Sequence, residues 1–169
     1  DPYEYRRMLL EKHPRFLRVL DTVAEKAGWK NPVAPGRGRG IAIHESFGSV
    51  VAQVAEVSIT KNKNLKVHKV VCAIDCGQIV NPDIIRAQME GCVVFGLTAA
   101  LYGEITFEKG RVKQGNFNAY KMVRMNEMPV VEVHIIESTE KMGGVGEPGV
   151  PPTAPAVMNA LFKLTGKRV

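Results

Sequence analysis

Three cysteines are too few and too unevenly placed for a disulfide framework: Cys72, Cys76 and Cys92 lie within one stretch of a 169-residue chain. We read them as reduced thiols in a core. Aromatic residues are also sparse, at 7% with one tryptophan. None is interleaved with the lysines at 61, 63, 66 and 69, so these read as a solvated turn and no nucleic-acid partner is expected. The four histidines, at 13, 44, 68 and 134, are scattered singly. Without closely spaced Cys/His motifs, zinc and other protein-ligated metals are not expected. Ser46, in HESFGS, lacks the GxSxG elbow of a hydrolase nucleophile. GRGRG at 36–40 has neither the lysine of a P-loop nor the GxGxxG spacing, and reads as a flexible connector. The longest apolar run, Gly91 to Tyr102, falls short of the roughly 18 residues that span a bilayer, so no membrane span is expected. No secretory signal opens the chain. It starts at Asp1, and we expect a processed protein or a piece of a longer one, whose compartment (cytoplasmic or periplasmic) is not readable.

What is present is globular. The chain is 45% hydrophobic and 24% charged, with a net charge of +6, which excludes wholesale disorder. Its length suits one compact domain or two small ones, and excludes a self-sufficient enzyme with several cofactors. Residues 3–12 and 14–27 have helical patterning, the second with Phe16, Leu17, Leu20, Val23, Ala24 and Ala27 on one face. A proline- and glycine-rich linker follows at 29–40. From Ile41 the period changes: 41–47, 50–59 and 65–74 read as strands, the last two as an antiparallel hairpin around TKNKN. Residues 83–102 predict one long helix, apolar on all sides in its second half and therefore buried. Its glycines, Gly91 and Gly96, each cost about 1 kcal/mol of helix propensity unless close packing uses them. Short strands are expected at 103–107, 111–114 and 129–137, and a last helix at 153–164. The fold class is α+β: an N-terminal helical hairpin, an antiparallel sheet, and a long buried helix and a C-terminal helix packed on it. We divide it into a helical segment with linker (1–35) and an α+β unit (36–169).

Two stretches can carry chemistry. In GGVGEPGVPPTAP, Glu147 sits between Gly146 and Pro148 in a loop that feeds a helix start. Glycines such as Gly144 and Gly146 let backbone approach a bulky ligand, and prolines stiffen the loop. A carboxylate presented there suits a general base, although most such loops only turn the chain. In RAQMEG (86–91), Gln88 enters an apolar helix carrying both a donor and an acceptor that a ligand could satisfy. The plainer alternative is a solvated first turn with an Arg86–Glu90 pair.

These residues also carry a family resemblance. DCGQIVNPDIIRAQMEGCVVFGLTAALYGEITF resembles the glutamine-glutamate-glycine helix of the xanthine dehydrogenase and aldehyde oxidoreductase family. GGVGEPGVPPTAPAVMNALFKLTGKRV is similar to its glutamate loop and following helix, and NFNAYKMVRMNEMPVVEVHIIES to the segment that links them. YRRMLLEKHPRFLRVLDTVAEKAGW and GRGRGIAIHESFGSVVAQVAEV look most like the isoquinoline 1-oxidoreductase branch. The resemblance runs over essentially the whole chain and is most specific from Gly36 onward. It implies the C-terminal portion of a molybdenum hydroxylase large subunit, of molybdenum-cofactor-binding domain type. The cofactor would be molybdopterin cytosine dinucleotide, with iron–sulfur clusters on a partner subunit or domain. Glu147 takes the place of the family's general base on the molybdenum-bound hydroxyl; Gln88, Gly144 and Gly146 fall at cofactor-facing positions. Asp75, Glu90 and Gly91 match motif positions read as structural. Partners would be the remainder of the large subunit and an iron–sulfur small subunit, and the substrate an N-heterocyclic aromatic or an aldehyde. The family's glycine-rich loop across the metal is missing from these residues, so the isolated chain is expected to be inactive. A non-catalytic cofactor-binding or assembly module on the same scaffold is the alternative.

Overall fold

The computed structural model describes residues 1–169. Helix α1 (Pro2–Leu9) begins where the Asp1 carboxylate accepts from the amides of Tyr3 and Glu4, an N-cap with proline in the first turn. Helix α2 (Pro14–Lys26) buries Val19, Leu20, Val23 and Ala24. Three strands then form a meander: β1 (Arg37–Ser46), β2 (Ser49–Ile59) and β3 (Leu65–Asp75). The β1–β2 turn consists of Phe47 and Gly48, both at positive φ (56° and 74°), the tight hairpin geometry that matches strand twist. Helix α3 (Pro82–Tyr102) follows, capped by the Asn81 side chain. Then come a two-residue pair, β4 (Phe107–Glu108) and β5 (Arg111–Val112), strand β6 (Val130–Ile135) and helix α4 (Thr153–Thr165).

The sheet order is β1-β2-β3-β6. The expected α+β arrangement holds, but the sheet is mixed: β6 joins β3 in parallel. After β3 the chain crosses one face of the sheet as α3, and a strand that returns after such a crossover runs parallel to the one it left. The outcome is three layers. Val50, Ala52, Val54, Val71 and Ala73 pack with Val19, Leu20 and Val23 of α2 on one face. Ala55, Val57 and Val70 pack with Val93 and Leu97 of α3 and Ala156 and Val157 of α4 on the other. Central strands covered on both faces lose the polar–apolar alternation, which explains the nearly unbroken apolar runs of β2 and β3. All three cysteines are free and buried. Burial, with a smaller push from Cys92, raises the Cys72 thiol to about 12.

Two further expectations are corrected. GRGRG is not a flexible connector: Arg37 to Gly40 open β1, and a Cβ at Gly40 would overlap the Ala156 carbonyl oxygen and the Ala160 amide nitrogen of α4. Gly38 and Gly40 let helix and strand backbones touch. Nor is α3 buried all round. Ile85, Met89, Cys92, Val93, Gly96, Leu97 and Thr98 are buried, whereas Ile84 and Phe95 are 58% and 65% exposed, because the chain covers only one side of the helix. Gly96 abuts the Thr153 side chain, but nothing in the chain lies within 4 Å of a Cβ at Gly91. Helix α3 is long and apolar enough, by length and composition, to cross a membrane; its buried face belongs to the core shared with the sheet and α4.

The buried carboxylate of Asp75 joins α2 to the end of β3. It accepts from Arg15 (3.1 Å), Arg18 (2.8 Å) and the Gly77 amide (3.0 Å). Burial alone would raise this carboxyl; the Gly77 amide and the two guanidiniums outweigh it and hold it below the usual carboxylate range. The depressed value means the stabilisation is full above the unfolded-state pKa of about 4 and is lost as pH falls through the lower folded value. In urea unfolding, Asp75→Asn should cost about 3 kcal/mol at neutral pH and remove this part of the acid sensitivity.

Candidate functional site

The loop from Gly143 to Pro152, between β6 and α4, is tied down along its backbone. The Gly143 amide donates to the Cys76 carbonyl (2.9 Å) and the Gly144 amide to the Phe47 carbonyl (2.8 Å). Ser49 Oγ donates to the Gly144 carbonyl (2.7 Å), Cys92 Sγ to that of Gly146 (3.2 Å) and Gln53 Nε2 to that of Gly149 (2.7 Å). The Val150 amide closes a turn onto the Glu147 carbonyl (2.9 Å). Absent side chains make this approach possible: a Cβ at Gly143 would collide with Ser49 Oγ and the Gly48 carbonyl, and one at Gly149 would stand 2.8 Å from Cys92 Cβ.

Against this fixed backbone the Glu147 side chain is exposed. Gln88 is also exposed, one helical turn before Cys92 on α3. Because the Cys92 thiol bonds the Gly146 carbonyl, the first half of α3 lies alongside the loop. Gln88 thus lies one turn from the point where the helix bonds Gly146, the residue before Glu147. Burial pushes the Cys92 thiol up, the Gly149 backbone opposes the rise, and the Glu147 charge adds to it. Gly146 has a free N–H within the chain, and nothing lies within 4 Å of a Cβ placed on it. Gly144 differs: its N–H and C=O are both spent on Phe47 and Ser49, and a Cβ on it would stand 3.0 Å from Phe47 Cβ, so its missing side chain lets the loop approach the β1–β2 turn. Arg86 pairs with Asp83 (2.9 Å) rather than with Glu90, as suits the solvated first turn.

Sequence reasoning passed over three residues that build this site. Gln53, fully buried in β2, was hidden in an apolar strand, where a lone amide was the available signal. Ser49 and Phe47 were overlooked because HESFGS was considered only for its Ser46. That hydroxyl is buried without a partner. Phe47, 62% exposed, holds a left-handed φ that is costly for a bulky residue; the Phe-Gly dipeptide between strand patterns was the readable sign of a tight turn.

A cavity of about 600 Å³ lies elsewhere, at the other end of α4, between Arg6, Trp29, Arg37, Phe162 and Arg168. No group of three or more His, Cys, Asp or Glu side chains is gathered to hold a metal ion.

A family model described as the molybdopterin cofactor-binding domain matches residues 21–129. Over its full length the chain is 37% identical to the beta chain of isoquinoline 1-oxidoreductase from Brevundimonas diminuta, of which it spans 22%. It is 31% identical to a nicotinate dehydrogenase subunit of Pseudomonas putida, with 99% of the chain and 16% of that protein aligned. The crystal structure of quinoline 2-oxidoreductase from Pseudomonas putida 86 matches 70% of the chain, and 16% of its own, with a TM-score of 0.65 at 19% identity, which shows a shared fold. The chain belongs to the molybdopterin cofactor-binding domain family, in the xanthine dehydrogenase and aldehyde oxidoreductase group.

Proposed function

We propose that this chain is one wall of the active site in the molybdenum-binding large subunit of a hydroxylase, and that Glu147 is its general base. The observation that carries the reading is the contrast at the loop: backbone tethers from Gly143 to Gly149, and an exposed carboxylate between them. A base is effective when its position is fixed before the proton moves, so that little rearrangement is needed.

The residues present fit a molybdopterin cofactor as one side of its cradle. Gly146 offers a free N–H beside open space, Gln88 an exposed neutral amide, and Gly91 a helix surface without a side chain. With no cluster of metal-ligating side chains, these groups suit the organic part of the cofactor rather than its metal. Gln88 can donate and accept without placing a charge beside an already charged centre. Gly144 shapes the same surface indirectly, by seating the loop on Phe47. When bound, the cofactor, which we assign as the cytosine dinucleotide form, supplies the redox centre that takes electrons from the substrate. Glu147 receives the proton released as oxygen from water is delivered to an electron-poor carbon. The rest of the large subunit closes the site, and iron–sulfur clusters on a partner subunit or domain carry electrons away.

The relatives named for isoquinoline, nicotinate and quinoline favour an N-heterocyclic aromatic substrate, with an aldehyde second. The test is to supply the full-length protein and its electron-transfer partner with a quinoline-type heterocycle and an aldehyde in ¹⁸O-labelled water. We expect a hydroxylated heterocycle carrying the label. Cofactor-loaded protein that turns over neither compound would instead support a non-catalytic cofactor-binding module.

A further inference from the structure

We infer that Gln53 is a positioning residue for Glu147: from the middle of the sheet it clamps the glutamate loop to the start of α4. The inference rests on reading Glu147 as the base. Gln53 is 0% exposed and lies in β2 between Ala52 and Val54. Its Nε2 donates to the Gly149 carbonyl (2.7 Å), and its Oε1 accepts from Thr153 Oγ1 (2.9 Å). Thr153 Oγ1 also stands 2.9 Å from the Gly149 carbonyl. One amide and one hydroxyl thus join the central strand, the end of the loop and the first residue of α4 in a closed triangle.

Packing alone does not call for an amide here. Val51, Ala55 and Val57 fill the same face of β2 with apolar atoms, and an apolar side chain of similar length would fit the layer. It would, however, strip the buried Gly149 carbonyl of its closest donor, which folded proteins avoid. The clamp sits two residues after Glu147, and the Val150–Glu147 turn bond passes its hold to the Glu147 backbone. On the far side Gly149 meets Cys92 and Met89 of α3. The loop is gripped between sheet and helix, and Gln53 supplies the sheet side of the grip. Helix α4 has no side-chain N-cap of its own, so Thr153 fixes its start through this triangle.

The test is a double-mutant cycle in the full-length, cofactor-loaded enzyme, using Gln53→Met with Glu147→Gln. Alone, Gln53→Met should lower kcat by about 10- to 100-fold with KM nearly unchanged, the effect of misplacing a reacting group by a fraction of an ångström to an ångström. In the Glu147→Gln background the same change should cost less than about 3-fold, because the two residues act as one unit. Amide hydrogen exchange over 145–150 should rise while β2 and β3 keep their protection, a readout independent of turnover. Should Gln53→Met not fold, Thr153→Val removes the hydroxyl and should reproduce the loss, with Thr153→Ser restoring it. An equal loss in both backgrounds, or loop exchange unchanged from wild type, overturns the clamp. Full activity of Glu147→Gln would overturn the base assignment instead, and loop exchange would still decide whether the clamp exists.

Discussion

Glu147→Gln in the full-length enzyme lowers kcat by at least ~10²–10⁴, about 3–5 kcal/mol of barrier, while KM changes little. Glutamine preserves the length and planarity of the side chain and loses only the capacity to accept a proton from the reacting group. The loop should not notice the exchange. Its tethers run from Ser49, Cys92 and Gln53 to backbone carbonyls and from the Gly143 and Gly144 amides to Cys76 and Phe47; none uses the Glu147 side chain. Stability and cofactor content should therefore match the wild type. An interaction made only in the transition state lowers kcat and kcat/KM together when it is removed. A variant that raises KM at constant kcat would make Glu147 a substrate-binding group. Activity within a few-fold of wild type would remove it from the chemistry.

The second large effect is structural. Gly40→Ala should destabilise the protein by more than about 4 kcal/mol, enough to abolish soluble folding in most single domains. Its Cβ would overlap the Ala156 carbonyl and the Ala160 amide, both on the α4 backbone, which cannot swing aside as a side chain can. Helix α4 would have to lift from β1. It would take along Thr153, and with it the anchor of the glutamate loop. Gly91→Ala is the control: nothing lies within 4 Å of the added carbon, and alanine in place of mid-helix glycine should gain about 1 kcal/mol in the chain. Soluble yield and urea midpoints of the two variants separate these cases. A Gly40→Ala protein within about 1 kcal/mol of wild type would contradict the direct backbone contact between β1 and α4.

The contrast between these glycines shows where the sequence was legible. Helix and strand segments were readable because apolar period and end signals agree, as at Asn81-Pro82 before α3 and Gly166 after α4, the latter at φ 69°. The parallel placement of β6 was not readable, since a six-residue strand carries no mark of its neighbour's direction. GRGRG misled because glycine permits both flexibility and close contact, and only the partner helix decides between them. The apolar circumference of α3 was read as burial, although the face with Ile84, Gln88, Gly91 and Phe95 lies open within this chain. At the site, Glu147 and Gln88 could be named because ligand-facing motifs place unusual residue types in apolar or glycine-rich surroundings. The supports could not. Gln53 reaches Gly149 across 96 positions of sequence and Ser49 reaches Gly144 across 95, and nothing local in either stretch specifies the other.

The most direct measurement is the reductive half-reaction: anaerobic mixing of cofactor-loaded, full-length enzyme with excess substrate, followed by absorbance in stopped flow. It isolates proton and electron transfer from product release and from the downstream acceptor. A general base at Glu147 means that Glu147→Gln slows substrate-driven reduction by at least ~10²-fold, while reduction by dithionite and the molybdenum content stay at wild-type levels. Substrate-driven reduction within a few-fold of wild type in that variant would contradict it.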